Sequence, residues 1–352
     1  MKKFNFSLLL LLIAGIAGAQ NRNVLIEKYA ATWCGYCPAA TIEMDSLMQV
    51  NPRIIGLSTH YNDAMEIQDG RAATQAYVEA FPGSTIDRVK FNTESKLNVF
   101  YQNWEPLLEE RLNTPSPVTV AGTAVYASST NTINIDLTVN VVENITGEVR
   151  VNAYILEDSV TGGSQYNQRN YYFNNDPNHP YLYQAGDPIL NYVHNHVLRA
   201  MAGGAFGAGN YESPTAGSEI SHSFSVDVDP NWSLEHLKVI FLAQAYSSEL
   251  EQREILNAER GEIDMTSAID RQTLTNYLVY PNPVQSTFTI GTSTSKQIEV
   301  HLYDVLGKEL KLGKSNFQTP ALLELPANIQ AGTYLLEIKE GNSINRIKIN
   351  KE

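Results

Sequence analysis

The stretch Trp33-Cys34-Gly35-Tyr36-Cys37-Pro38, which follows the apolar run Val24-Leu25-Ile26, decides how this chain is read. Its two cysteines are the only ones present. A cross-link stabilises more the longer the loop it closes, and this loop is close to the shortest possible. A bond between them is a poor staple. The placement suits thiol chemistry better. Cys34 is expected at a strand-to-helix junction, where unpaired backbone N–H groups and the helix dipole favour a thiolate. Cys37, one helical turn later, would be near enough to resolve a mixed disulfide. Zinc would need a second cysteine pair to complete four ligands.

Outward from the motif, residues 20–114 alternate strand-like and helix-like patterns. Val24 to Tyr29 reads as a buried strand, and Ala40, Met44, Leu47 and Met48 recur at helical spacing after Pro38. Arg53 to Ser58 is the next strand, and a polar helix follows over 70–80. Phe81-Pro82-Gly83-Ser84 reads as a turn before a short strand through Ile86 and Val89. Leu97, Phe100, Trp104, Leu107, Leu108 and Leu112 mark one long helix, kinked or restarted at Pro106. This order predicts an α/β layer.

Pro115 and Pro117 mark a boundary, after which residues 115–275 alternate with period two. Ile133, Ile135, Leu137, Val139 and Val141 are one such run, and Leu237 to Leu242 is another. The pattern predicts an antiparallel β-sandwich. It is interrupted over 162–217 by a long excursion rich in Tyr, Asn and Gly, expected to carry one helix. Loops of that length in compact domains are often functional. Residues 276–352 hold short strands separated by turn signals at Gly307, Gly332 and Gly341-Asn342, which predicts a small all-β unit. The expected fold class is multidomain, α/β followed by all-β.

Residues 1–19 read as a signal peptide. Lys2 and Lys3 precede an apolar core, Phe4 to Ile16, too short for a membrane span, and Ala17-Gly18-Ala19 is a small-residue cleavage site. The mature chain is expected to begin at Gln20, with no cysteine there for lipid attachment and no later stretch suited to a transmembrane helix. A net charge of −13 argues against nucleic acid or an anionic membrane surface as partner.

The first segment resembles the thioredoxin fold, through Trp33-Cys34-Gly35-Tyr36-Cys37-Pro38 together with Phe81-Pro82. The resemblance covers roughly residues 24–112 and implies a cis-proline, Pro82, opposite the cysteine pair. Cys34 would attack, Cys37 resolve, Pro82 dock the substrate chain, and Trp33 and Tyr36 shape the contact surface. Family members often bury an acid beneath the pair, and Lys28 takes that register here, beside Glu27. The terminal unit is similar to type IX secretion sorting domains, through Tyr280-Pro281-Asn282-Pro283, Tyr303-Asp304-Val305-Leu306-Gly307-Lys308, Ala331 to Glu337 and the basic ending Arg346 to Lys351. With Asn195-His196-Val197-Leu198-Arg199-Ala200, the whole resembles the outer membrane protein 28–related family. These resemblances imply an exported protein destined for the cell surface (outer membrane) or the medium, which meets the type IX secretion machinery through its tail. Two functions stay open. One is thiol–disulfide exchange on the thiols or disulfides of other exported proteins, with no cofactor; the other is surface binding or adhesion, with the Cys34–Cys37 disulfide only structural.

Other constellations carry less. His194 and His196, with His179 or Asp187, are metal-ligand types, but a hydrogen-bonded polar loop explains them more simply. Asp227, Asp229 and Asn231 start like a calcium loop, yet Trp232 stands where glycine is needed and Lys238 where the closing acid belongs. Tyr171-Tyr172-Phe173 and Tyr181-Leu182-Tyr183 read as packing over a sandwich before they read as a ligand platform.

Overall fold

In the computed structural model of the chain, the described residues are 21–265 and 277–352, apart from 293–294, 305–307, 313–314, 327–328 and 341–342. The signal segment, the Gln20 start, Val305 to Gly307 and the Gly341-Asn342 turn lie outside them. The chain divides into two compact units, one ending at Thr266 and one beginning at Ser267. Both are rich in strands, and helices are few.

The first unit opens with β1 (Val24–Ala30), α1 (Cys37–Val50), β2 (Ile54–His60), α2 (Gln68–Tyr77), β3 (Gly83–Ile86) and α3 (Trp104–Leu112). Then come β4 (Val118–Ala127), β5 (Thr132–Val141), β6 (Glu148–Glu157), α4 (Pro180–Gln184), β7 (Val197–Met201), β8 (Ala208–Glu212), β9 (Glu219–Asp227), β10 (Leu237–Tyr246) and β11 (Ile255–Asp264). These strands form one sheet in the order β3-β1-β2-β7-β6-β10-β11-β4-β5-β9, with β8 also on β6. β1 and β2 are parallel, as a helical crossover between them requires, and β3 is antiparallel to β1. The change of pattern at Pro115 thus falls within one hydrogen-bonded sheet.

Two expectations need correction. The apolar positions from Leu97 to Leu112 do not make one helix. Val99 pairs with Ser84 as an extended bridge, and α3 starts only at Trp104. Pro106 sits in the first turn of α3, where its missing N–H leaves no intrahelical bond unmade, so it neither kinks nor restarts the helix. The 162–217 interval is also more than an excursion with one helix. It contributes α4, β7 and β8, and β7 bridges β2 to β6. The apolar positions of β7 supply the strand that joins the cysteine-bearing end to the rest.

Strand residues alternate between faces. On one face of β1 and β2, Val24, Ile26 and Ile54 pack under α1 and α3 with Met44, Trp104 and Leu108. On the other, Leu25, Tyr29 and Leu57 share a core with Tyr77 of α2, Tyr154 of β6 and Leu242 of β10. The opposite face of β6 and β10 builds a second core with β4, β5 and β9, the face-to-face layering of a sandwich. Phe241 of β10 fills the space over Gly122 of β4, where a Cβ would come within 2.7 Å of the ring.

A buried guanidinium ties these parts together. Arg88 Nε and Nη2 donate to the Glu27 carboxylate at 2.7 and 2.6 Å, Nη2 to the Tyr154 hydroxyl at 2.8 Å, and Nη1 to Gln244 Oε1 at 3.0 Å. The Tyr77 ring faces it at 4.7 Å.

The second unit comprises β12 (Leu278–Tyr280), β13 (Thr287–Gly291), β14 (Gln297–Tyr303), β15 (Glu309–Leu310), β16 (Asn316–Gln318), β17 (Ala321–Glu324), β18 (Gly332–Glu340) and β19 (Ser343–Lys351). One sheet is β12-β13-β17, the other β15-β14-β18-β19 with β16 on β14. Phe288, Ile290 and Leu323 from the first meet Val300, Leu302, Leu336 and Ile338 from the second in one core. Asn282 of the Tyr280-Pro281-Asn282-Pro283 motif accepts from Asn350 N at 2.9 Å and donates to Lys348 O at 3.0 Å, so the motif is fastened to the last strand.

Replacing Arg88 by Met strands the Glu27 carboxylate in the core and is expected to cost about 3–5 kcal/mol of unfolding free energy. Pairing it with Glu27→Gln removes the unpaired charge and should recover a large part of that loss in urea denaturation. Equal instability of the single and double variants would refute this account.

Candidate functional site

β1 ends at Ala30 and α1 begins at Cys37, so the intervening loop presents the cysteine pair at the head of the helix. The two are joined as a disulfide. Cys37 is the first residue of α1, and its N–H bonds the Cys34 carbonyl at 3.2 Å. Both are deeply placed, with Cys34 5% and Cys37 2% exposed. Ala30, Ala31 and the ring of Phe81 pack around them. The Phe81-Pro82 bond is cis and leads directly into β3. The structure therefore brings Phe81 against Cys34 and Cys37, and Pro82, the next residue, is buried.

The rim is aromatic. Trp33 is 43% exposed; its indole N–H donates to Tyr61 O at 3.1 Å and its ring meets Phe81 edge-on at 5.2 Å. Phe81 in turn stacks on Tyr61. On the other side Tyr36, 52% exposed, meets Tyr171 and Tyr172 edge-on. The Tyr172 hydroxyl is linked to that of Tyr101 at 3.0 Å, and burial pushes its pKa upward.

Residues 168–171 of the excursion strap this loop, an arrangement invisible in the sequence. The buried Gln168 amide donates to Cys34 O at 2.9 Å and to Ala31 O at 3.2 Å. Arg169 N bonds Thr32 O at 2.8 Å, and Tyr171 N bonds Gly35 O at 2.9 Å. The Tyr171 ring lies so close over Gly35 that a Cβ there would come within 2.3 Å of it. Only the length and aromatic content of the excursion signalled a role.

Beneath α1 sits Lys28. As the neighbour of Glu27 on β1 it faces the opposite side of the sheet, so the Glu27 carboxylate, bound to Arg88, is not under the disulfide. The Lys28 ammonium donates to Thr41 Oγ1 at 2.5 Å, and Thr41 donates to Cys37 O at 3.2 Å. Burial lowers its pKa to about 8, against the opposing charge of Asp45. Nearby, Asp63 accepts from Thr32 N at 2.8 Å and pairs with His60 Nδ1 at 2.7 Å. Burial acts to raise the Asp63 pKa, but these bonds and the His60 charge hold it below the usual carboxylate value.

His194 and His196 do not lie on a strand. Both precede β7, and His196 has a left-handed backbone, φ 57°. His194 Nε2 donates to Tyr166 O at 2.8 Å, and burial, then His60, lower its pKa to about 4. His196 lies against Asp158 and Asp45 instead. No group of metal-ligating side chains suited to an ion occurs among the described residues. Asp229 accepts from Asn231 N and Nδ2, both at 2.8 Å, which closes a short turn.

The profile of the outer membrane protein Omp28 family matches residues 72–266, more than half of the chain. The chain belongs to the Omp28 family. A second profile, that of the secretion system C-terminal sorting domain, matches residues 278–352 and accounts for the second unit. Family and tail together make this Omp28-family member an exported protein, directed to the cell surface or secreted, whose tail engages the secretion machinery. The solved structure of HBP35 of Porphyromonas gingivalis is similar over 95% of this chain and 99% of its own, at 17% identity and a TM-score of 0.57, a likeness of fold alone. A domain of the outer membrane lipoprotein Omp28 from Porphyromonas gingivalis matches over 43% of this chain and 90% of its own, at 16% identity and a TM-score of 0.25. No curated protein matches the chain. No helix among the described residues is long and apolar enough to cross a membrane.

Two measurements check this geometry. Unfolded Lys28 binds its proton up to about pH 10.5, folded Lys28 only to about pH 8, so its contribution makes stability rise with pH across that window. Between pH 7 and 10 the wild type should gain roughly 2 kcal/mol relative to Lys28→Met. Gln168→Ala unties the loop, and its disulfide should be reduced by dithiothreitol several-fold faster than in the wild type. An unchanged rate would mean that the strap does not restrain the loop.

Proposed function

We propose that the region 24–112 of this exported Omp28-family protein is thioredoxin-like and carries out thiol–disulfide exchange on other exported proteins. The observation that carries this reading is the Cys34–Cys37 disulfide at the head of α1, packed against the ring of Phe81 just before β3. The parallel β1–β2 pair with antiparallel β3 beside it, and helices on both faces, agree with the same reading.

In the oxidised form the chemistry begins with a partner thiolate. It attacks Cys34 Sγ, the Cys34–Cys37 bond breaks, and Cys37 leaves as a thiolate. The second partner thiolate then attacks the mixed disulfide at the partner's sulfur and expels Cys34. Two electrons pass to Cys34 and Cys37, and the partner leaves as a disulfide; the reverse sequence reduces a partner. The α1 N-terminus favours the thiolate of Cys34. Trp33 and Tyr36 on the rim would contact the partner chain, and Pro82 would position its backbone.

A second reading has the disulfide as a structural clip within a surface-binding protein. The low exposure of both cysteines and the Gln168 strap favour it. Trapping decides between them. Cys37→Ala, expressed with its full export signals, should accumulate mixed disulfides through Cys34 if exchange occurs. A reduction potential below about −300 mV, typical of structural disulfides, together with no trapped partner, would leave the clip as the function of the bond.

A further inference from the structure

Away from the disulfide, a cavity of about 460 Å³ opens between the end of β6, β7, the start of the excursion and the loop before β10. Its volume is that of a small-molecule site. We propose that it is a binding subsite for a neutral sugar residue.

The wall chemistry selects the ligand. Glu157 and Arg199 form its charged floor, Arg199 Nε donating to Glu157 Oε2 at 2.7 Å. The other Glu157 oxygen accepts from Ser233 N at 2.8 Å. Glu157 is therefore satisfied, while the terminal nitrogens of Arg199 have no partner among the described residues. At the mouth, Asp229 uses one oxygen for Asn231 and keeps the other open. Trp232 and Tyr166, both half-buried, supply aromatic surface to the same wall.

An anionic ligand finds no uncompensated cation here, because the single guanidinium is already neutralised. An apolar ligand would strand the donors and acceptors of the wall without partners. A ring carrying several hydroxyls meets all of these terms. Its hydroxyls accept from Arg199 and donate to Asp229, and the C–H face of the ring rests on an aromatic side chain. The proposal does not depend on redox chemistry at Cys34 and Cys37, and it holds equally for the surface-binding reading.

The test uses the indole N–H signals of the three tryptophans, Trp33, Trp104 and Trp232, in the purified full chain. Glucose, galactose, mannose and N-acetylglucosamine are titrated singly into the tens of millimolar. The expected result is a saturable shift of the Trp232 signal with at least one sugar, while Trp33 and Trp104 stay in place. Asp229→Asn, at an exposed position, should weaken that sugar about tenfold without unfolding the protein. No Trp232 shift with any of the four sugars overturns the proposal. So does a sugar affinity unchanged in Asp229→Asn, or a response to lysine or glutamate in place of the sugars.

Discussion

The Arg88 guanidinium is the point on which the first unit depends. A charge removed from water must be matched closely, and this one is matched by groups from separate parts of the chain. Glu27 comes from β1, Tyr154 from β6, Gln244 from β10, and the Tyr77 ring from α2. Displacing Glu27, Tyr154 or Gln244 would leave a buried charge or a buried polar group unmatched. The cysteine-bearing end and the strand-rich remainder are thereby held in one register. A second buried group, Arg22 and Arg111 around Asp87, fastens the entry to β1 and the end of α3 to the same region.

β6 and β10 show the same constraint in apolar terms. Each is buried on both faces, one against α2 and the β1–β2 side, the other against β4, β5 and β9. A strand in that position reads as a nearly continuous apolar run, as Val239-Ile240-Phe241-Leu242-Ala243 does, so the period-two alternation expected over Leu237 to Leu242 does not hold there. The period-two strands β5 and β9 have the other pattern because one side of each meets solvent.

Around the disulfide, the physical environment is set by opposite faces of β1. Glu27 turns towards Arg88, whereas Lys28 turns towards α1, so a cation and not an acid lies beneath the pair. The loop itself is held from outside by Gln168 and Tyr171. The cysteines are consequently embedded, while Trp33 and Tyr36 remain open on either side. The surface beside the disulfide is therefore aromatic.

Much of this was legible locally. The strand, cysteine loop and helix from Val24 to Val50, the strand β2, the alternating strand β5 and the strand-rich terminal unit all follow from periodicity and turn residues, which act between near neighbours in the chain. The helix expected from Leu97 failed because Val99 found an extended partner in Ser84, a bond that no helical pattern announces. The strap over Cys34, the insertion of β7 beside β2, and the cavity between Glu157 and Trp232 were likewise not visible. By itself the sequence determined where the cysteine pair would sit on its helix and that the tail is a sorting unit. Only the tertiary structure decided what covers the pair and where a cavity opens. Those outcomes rest on hydrogen bonds and packing between residues more than a hundred positions apart, or on loops brought together by strand order, and neither leaves a periodic trace in the sequence.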